Sequence, residues 1–230
     1  MNIVKPTRAN GSQNVEHMII DPFPASLDSL LPSAMGAPTA ERDAYQYLCK
    51  LAVLLGRILS FTRTSPRSIH SQADHEQLMG ALSRFLLGIP KNYRAAIGAS
   101  AAELPTVLLL GCTLNACSIF LHSTSSDDGR SEGCFKAVEN ILALVRNISS
   151  TMDLTDDRVY GNPLLAPILL LGARILAGKY LSSGSATEET VRNNLELLLG
   201  TLGRMEEGWP RLAGLVKGIV REDLKREPGA

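Results

Sequence analysis

Two segments of the sequence, residues 105–121 and 163–181, are apolar on nearly every side of a helix. A helix without a broad polar face has to be covered, either by protein or by lipid. The first segment is shorter than the roughly 20 residues of a typical membrane span. It is also interrupted by polar residues such as Thr113 and Asn115. We therefore expect two buried helices at the centre of a protein core, and no membrane insertion.

The rest of the chain is dominated by amphipathic helical patterns, in which apolar residues recur at three- and four-residue steps. No convincing alternating pattern predicts a β-strand. The sequence thus predicts an all-α single domain of about seven helices, two of them central and buried. The expected buried faces are Tyr45, Leu48, Ala52, Leu55 and Leu59; Leu78, Leu82, Phe85, Leu86 and Ile89; Cys134, Val138, Ile141, Leu142, Val145 and Ile148; Val191, Leu195, Leu198, Leu202 and Met205; and Leu212, Leu215, Val216, Ile219 and Val220.

The predicted domain covers residues 39–226, with its first helix over residues 40–61. Before it, residues 1–38 are rich in proline and glycine and predict an irregular lead-in, and residues 227–230 form a short tail. Near the end of the chain, the sequence Gly208-Trp209-Pro210 predicts a tight turn between two apolar helices. We expect the Trp209 ring to be buried there and to anchor both helices.

Charge and cysteine usage narrow the class of protein. Lys plus Arg and Asp plus Glu both number 23, so the net charge is zero. Without a basic field or a zinc-ligand cluster, we expect no direct DNA binding by this chain. Residues 1–14 are not followed by the apolar run of a secretory signal. The four cysteines lie in segments that look buried, so we expect an intracellular protein with free thiols that is not secreted.

The sequence offers no convincing catalytic, cofactor or metal site, and we expect a protein that is not an enzyme. No phosphate-binding loop, dinucleotide fingerprint or nucleophile elbow is present. Cys112 and Cys117 are five residues apart, which separates them by about 140° around a helix. His70 and His75 have the same spacing. Neither pair is therefore expected to share a metal ion through one helix face.

Three polar residues stand out in or at the end of the two apolar segments: Asn115, His122 and Arg174. Buried polar groups need partners, so these side chains are candidates for an effector pocket. The alternative for Asn115 is a local hydrogen bond. For Arg174 it is a stem that runs along apolar surface to reach water, and for His122 it is an interaction with the last carbonyls of its helix.

Several linked blocks resemble the regulatory domain of fungal zinc-cluster transcription factors, also called the fungal-specific or middle homology domain. Residues 108–122 are similar to its apolar helix that ends in Leu-His, and residues 133–148 to its following Cys-x-x-Ala helix. Asn162-Pro163 with the next apolar helix fits as well. Residues 193–213 resemble the family's leucine-rich helix followed by Trp and a closing helix. The blocks match the later part of that domain.

The resemblance implies transcription regulation in the nucleus through a small-molecule effector or protein partners, with a dimer possible. Two features depart from the family pattern. Ser123 and Thr124 stand where the family often has Arg-Pro, and the family's cysteine-rich DNA-binding cluster does not occur in this sequence. Two alternatives stay open: a cytoplasmic helical protein that binds a small molecule, or a degenerate enzyme. Under the resemblance, the chain would be either a fragment of a longer DNA-binding regulator or a short free-standing product, and both alternatives stay open.

Overall fold

The computed structural model describes residues 44–64, 69–95, 99–100, 102–124, 129–151, 160–182 and 185–225. These residues form eight helices and no strand, which confirms the all-α prediction. The predicted lead-in and tail lie outside the described residues. The helices are α1 Ala44–Thr64, α2 Ile69–Gly88, α3 Lys91–Ala95, α4 Leu104–Thr124, α5 Gly129–Thr151, α6 Leu165–Ser182, α7 Ser185–Met205 and α8 Pro210–Lys225.

Helix α4 is the centre of the fold. It packs most extensively against α5 and α1, and it also contacts α2, α3 and α6. Among the described residues, α4 is the one helix long and apolar enough to cross a membrane, with a window of mean hydropathy 1.9. However, 78% of that window is buried inside the protein. The burial of α4 agrees with its prediction as a core helix.

Helix α6 is the second apolar helix, and one of its sides stays exposed to solvent. Leu169 and Ala173 are buried, whereas Leu171 is half-buried and Pro167 and Arg174 are exposed. Its main neighbours are α7 and α8. The segment is thus buried on the side that faces the other helices, but it is less enclosed than α4, because no described element covers the side that carries Pro167 and Arg174.

The buried faces of α5 and α7 are those predicted, and all their expected residues are buried. In α1 the predicted face is wrong: Tyr45 is 62% exposed and Ala52 is exposed. Leu86 and Leu215, in the other two predicted faces, are also exposed. The observed buried face of α1 is Ala44, Tyr47, Leu51, Leu54, Ile58 and Phe61.

Two further expectations about single residues need correction. Cys49 is exposed, unlike the other three cysteines, because it lies on the side of α1 that faces away from the core. Trp209 is 44% exposed. Its ring lies at the turn between α7 and α8, and its Nε1–H donates a 2.7 Å hydrogen bond to the carbonyl of Gly161. The indole therefore ties this turn to the segment before α6 instead of filling the core.

Candidate functional site

A cavity of about 410 Å³ lies between α2, α3, α4 and α5. Its volume falls in the range of small-molecule sites, which are mostly apolar with a few polar groups that orient the ligand. Exposed Ser83, Asn140 and Ala143 mark where it meets the solvent. The lining residues are Met79, Leu82, Ser83, Leu86, Ile89, Tyr93, Arg94, Leu110, Gly111, Leu114, Asn115, Ser118, Asn140, Ala143, Leu144 and Asn147.

Asn115 is the predicted site residue that lies in this cavity. Its Nδ2 donates a 2.8 Å hydrogen bond to the carbonyl of Gly111, and its Oδ1 accepts one of 3.2 Å from Nδ2 of Asn140. An amide NH₂ carries two donor hydrogens, so one N–H of Asn115 has no partner among the described residues. The side chain thus satisfies itself locally, as the simpler alternative expected, and still presents polar groups to the cavity.

The floor of the cavity depends on a close approach of α4 and α5. A Cβ added at Gly111 would lie 2.6 Å from Cδ1 of Leu144, which is closer than side-chain carbons pack. Glycine at this position lets the Leu144 side chain pack directly against the backbone of α4. This packing places Leu144, with its neighbours Asn140 and Asn147 on α5, along one wall of the cavity.

Arg94 is the one charged residue in the cavity lining. It lies on α3, a five-residue helix that the sequence pattern did not predict. Its Nε atom is buried and has no hydrogen-bond partner among the described residues. A buried polar atom without a partner costs free energy, so its presence calls for an explanation. The one sequence signal for α3 is Pro90, a residue that favours the first position of a helix, followed by a short segment with Tyr93 and Arg94.

The position of α3 is fixed by Glu103, next to the start of α4. Oε1 of Glu103 accepts a 3.0 Å hydrogen bond from the Tyr93 hydroxyl, and Oε2 accepts bonds of 2.8 Å from Ser100 Oγ and 3.2 Å from the Ser100 amide. The bonds from Ser100, and then the one from Tyr93, hold the pKa of this carboxyl below its ordinary value. Both carboxylate oxygens are therefore engaged away from Arg94.

His122 lies outside the cavity, in the last turn of α4. Its ring packs against α5, where a Cβ added at Gly133 would lie only 2.5 Å from ring atoms. Burial, and then the charge of nearby His75, lower the pKa of His122 below its ordinary value. His75 itself lies with Nε2 3.1 Å from the carbonyl of Leu121, so that nitrogen must donate. These two histidines bind neighbouring parts of the fold together.

Arg174 lies apart from both places. It is exposed on α6, on the side that the neighbouring helices leave uncovered, and it is not in the cavity lining. The structure thus brings Asn115 to the cavity, and places His122 at the end of α4 and Arg174 at the surface. Sequence reasoning missed Arg94, Asn140 and Asn147, which are contributed by other helices.

Nucleophilic and metal chemistry find little support in the described part of the chain. Burial raises the pKa of the Cys112 and Cys117 thiols to about 12, so both stay protonated at neutral pH. The Cys134 thiol is also buried, with Sγ 3.7 Å from the carbonyl of Ile119. No group of three or more His, Cys, Asp or Glu side chains close enough to hold a metal ion occurs among the described residues.

No protein-family model matches the chain, and neither the curated proteins nor the solved structures give a match.

Proposed function

We propose that this chain is a non-catalytic helical regulatory domain that binds a small-molecule effector and acts in transcription regulation in the nucleus. The observation that supports effector binding is the cavity between α2, α3, α4 and α5. It combines an apolar lining with the side chains of Asn115, Asn140 and Arg94, the combination typical of ligand sites. The transcriptional part rests on the sequence resemblance.

Under this proposal the domain does not bind DNA by itself, since a net charge of zero gives no general attraction to the phosphate backbone. DNA recognition would come from a linked module or from a protein partner. Effector binding would stabilise one state of the domain by mass action and so change which surfaces are presented to that partner.

The proposal can be tested by tethering the full chain to an unrelated DNA-binding module and measuring a reporter gene in a fungal cell. The chain is expected to change reporter output relative to the module alone. A matched pair of variants then asks whether the cavity matters. Ala143→Trp places a bulky ring at the cavity rim, whereas Ala52→Trp places the same ring on the exposed side of α1.

Ala143→Trp should alter the reporter response, and Ala52→Trp should leave it as in the wild type. Reporter output equal to that of the DNA-binding module alone would contradict the transcriptional part of the proposal. The second candidate function, a cytoplasmic helical protein that binds a small molecule, shares the cavity as its supporting observation. It would be favoured if Ala143→Trp abolished ligand binding while the tethered chain had no effect on the reporter.

A further inference from the structure

We infer that the cavity between α2, α3, α4 and α5 selects small monocarboxylates with an apolar body, and that Arg94 recognises their carboxylate. This inference rests on the proposed function, because it names the class of effector that the same cavity would take. It depends on three properties of the lining: its net charge, the state of the Arg94 side chain and the apolar character of the opposite wall.

The first property is charge. Arg94 contributes one positive charge, and none of the other lining residues is ionisable near neutral pH. The lining therefore carries a single positive charge, at a partly buried side chain, where charge interactions are stronger than in bulk water. A single negative charge on the ligand balances it. A dianion or a cation would leave an uncompensated charge in the cavity.

The second property is the availability of the guanidinium. Its Nε is buried without a hydrogen-bond partner among the described residues, and Glu103, the carboxylate that accepts from Tyr93 of α3, bonds Tyr93 and Ser100 and not Arg94. Arginine presents its N–H groups as a planar fork that matches a carboxylate, and such paired bonds are the strong ones. Because Nε itself is buried, a bound carboxylate would meet the two terminal Nη groups, and it would supply the counter-charge that no described residue gives the guanidinium.

The third property is the shape of the rest of the lining. Apolar side chains cover much of the cavity: Met79, Leu82, Leu110, Leu114 and Leu144. Most of a ligand in this space would therefore contact apolar side chains. The unbranched methionine side chain adapts to different ligand shapes. Asn115, with one unpartnered N–H, adds a neutral donor on the opposite helix. An amphipathic ligand with one anionic end fits this distribution.

The test compares carboxylates with their uncharged amides, phenylbutyrate with phenylbutyramide and octanoate with octanamide, by calorimetric titration of the full chain near neutral pH. In the wild type each carboxylate is expected to bind about tenfold or more tightly than its amide, as charge-assisted hydrogen bonds imply. Arg94→Gln should weaken carboxylate binding by a similar factor and amide binding by much less, because an amide loses only a neutral-acceptor bond. Arg94→Lys keeps the charge but loses the fork, and should retain only part of the affinity.

Arg63→Gln, at an exposed arginine of α1 outside the cavity, is the matched control and should bind like the wild type. Thermal unfolding of each variant checks that it is folded. Amides that bind as tightly as carboxylates, carboxylate binding that survives Arg94→Gln, or no binding of any of the four probes would overturn the inference. Failure of the proposed transcriptional role is a separate result, because it appears in the reporter and leaves the calorimetric preference intact.

Discussion

The tetrapeptide Leu-Leu-Leu-Gly occurs in both apolar helices, as residues 108–111 of α4 and 169–172 of α6, but the fold treats the two copies differently. In α4, Leu108, Leu109 and Leu110 are 1%, 3% and 1% exposed. In α6, Leu169 is buried, whereas its two leucine neighbours are only half-buried. Identical local sequence therefore does not decide burial, because burial depends on how many sides of a helix other helices cover.

The number and arrangement of neighbours explain the difference. Three consecutive helical residues point in three directions, so all three can be buried only if helices lie on several sides. Helix α4 lies between α1 and α5, with α2, α3 and α6 also in contact. Helix α6 packs mainly on α7 and α8, with fewer contacts to α5 and α4, and its side with Pro167 and Arg174 stays exposed. The fold thus has a largely enclosed region around α4, which carries the cavity, and a more open region around α6.

The largest expected effects come from alanine substitutions in the enclosed copy. Leu108→Ala and Leu109→Ala should each lower the free energy of unfolding by about 2–5 kcal/mol, since both leave a cavity in a packed core. Leu110→Ala should fall at the low end of that range, because Leu110 already borders a cavity. Urea unfolding followed by circular dichroism measures all three. A loss below about 1 kcal/mol at Leu108 would contradict the enclosure of α4.

In the copy of α6, the loss of unfolding free energy on substitution to alanine should differ strongly between leucines of the same tripeptide. Leu169→Ala should cost about 2–5 kcal/mol, like its counterpart in α4. Leu171→Ala should cost only about 1 kcal/mol, because its side chain is partly in solvent before the substitution. The same urea titrations provide the comparison. Equal losses at Leu169 and Leu171 would mean that another part of the protein covers the outer side of α6.

Trp209 tests how the open region is held together. The half-exposed ring and its bond to Gly161 predict a loss of about 1–2 kcal/mol for Trp209→Ala. Trp209→Phe keeps most of the apolar contact but removes the N–H donor, and should account for about half of that loss. Unfolding midpoints of both variants check this. A loss of 3 kcal/mol or more for Trp209→Ala would indicate full burial of the ring.

Helix existence and most packing faces could be predicted from the sequence, and the failures have a physical pattern. The face of α7 was predicted because its apolar residues lie on one stripe and leave one choice. Helix α1 has apolar residues on more than one side, including Leu48, Leu54 and Leu55. Two faces then satisfy the same helical period, and only the position of α4 selects the one with Tyr47 and Ile58.

The candidate site was harder to predict because four helices build it. Asn115 could be singled out, since an amide in an all-apolar helix is conspicuous in the sequence. Arg94 could not, because a five-residue helix is too short to show a period and an isolated arginine ordinarily lies in solvent. Arg174 stood in an apolar segment and was singled out for that reason. In fact it marks, with Pro167 seven residues earlier, the solvent-facing strip of α6.

The smallest expected effect is a pH dependence of stability that comes from His122. Since His122 lies in the last turn of α4, it tests whether the burial of that helix extends to its end. Burial and the charge of His75 lower its pKa below the ordinary value of 6.5 in the folded protein. The unfolded chain therefore takes up a proton on this residue before the folded protein does. The folded protein is therefore most stable, as far as His122 is concerned, above about pH 6.5, where the imidazole is neutral in both states. This contribution to the free energy of unfolding is lost as the pH falls from that value through the lower pKa of the folded protein.

Urea unfolding of the wild type and His122→Gln at about pH 7.5 and about pH 5.5 measures this contribution, since glutamine cannot take up a proton in that window. The wild type should lose more stability than His122→Gln on acidification. His75→Gln removes the second cause but leaves the desolvation of His122, so it should reduce the pH dependence without abolishing it. Equal losses in the wild type and His122→Gln would show that the His122 ring is as well solvated in the folded protein as in the unfolded chain, and that the enclosure of α4 ends before its last turn.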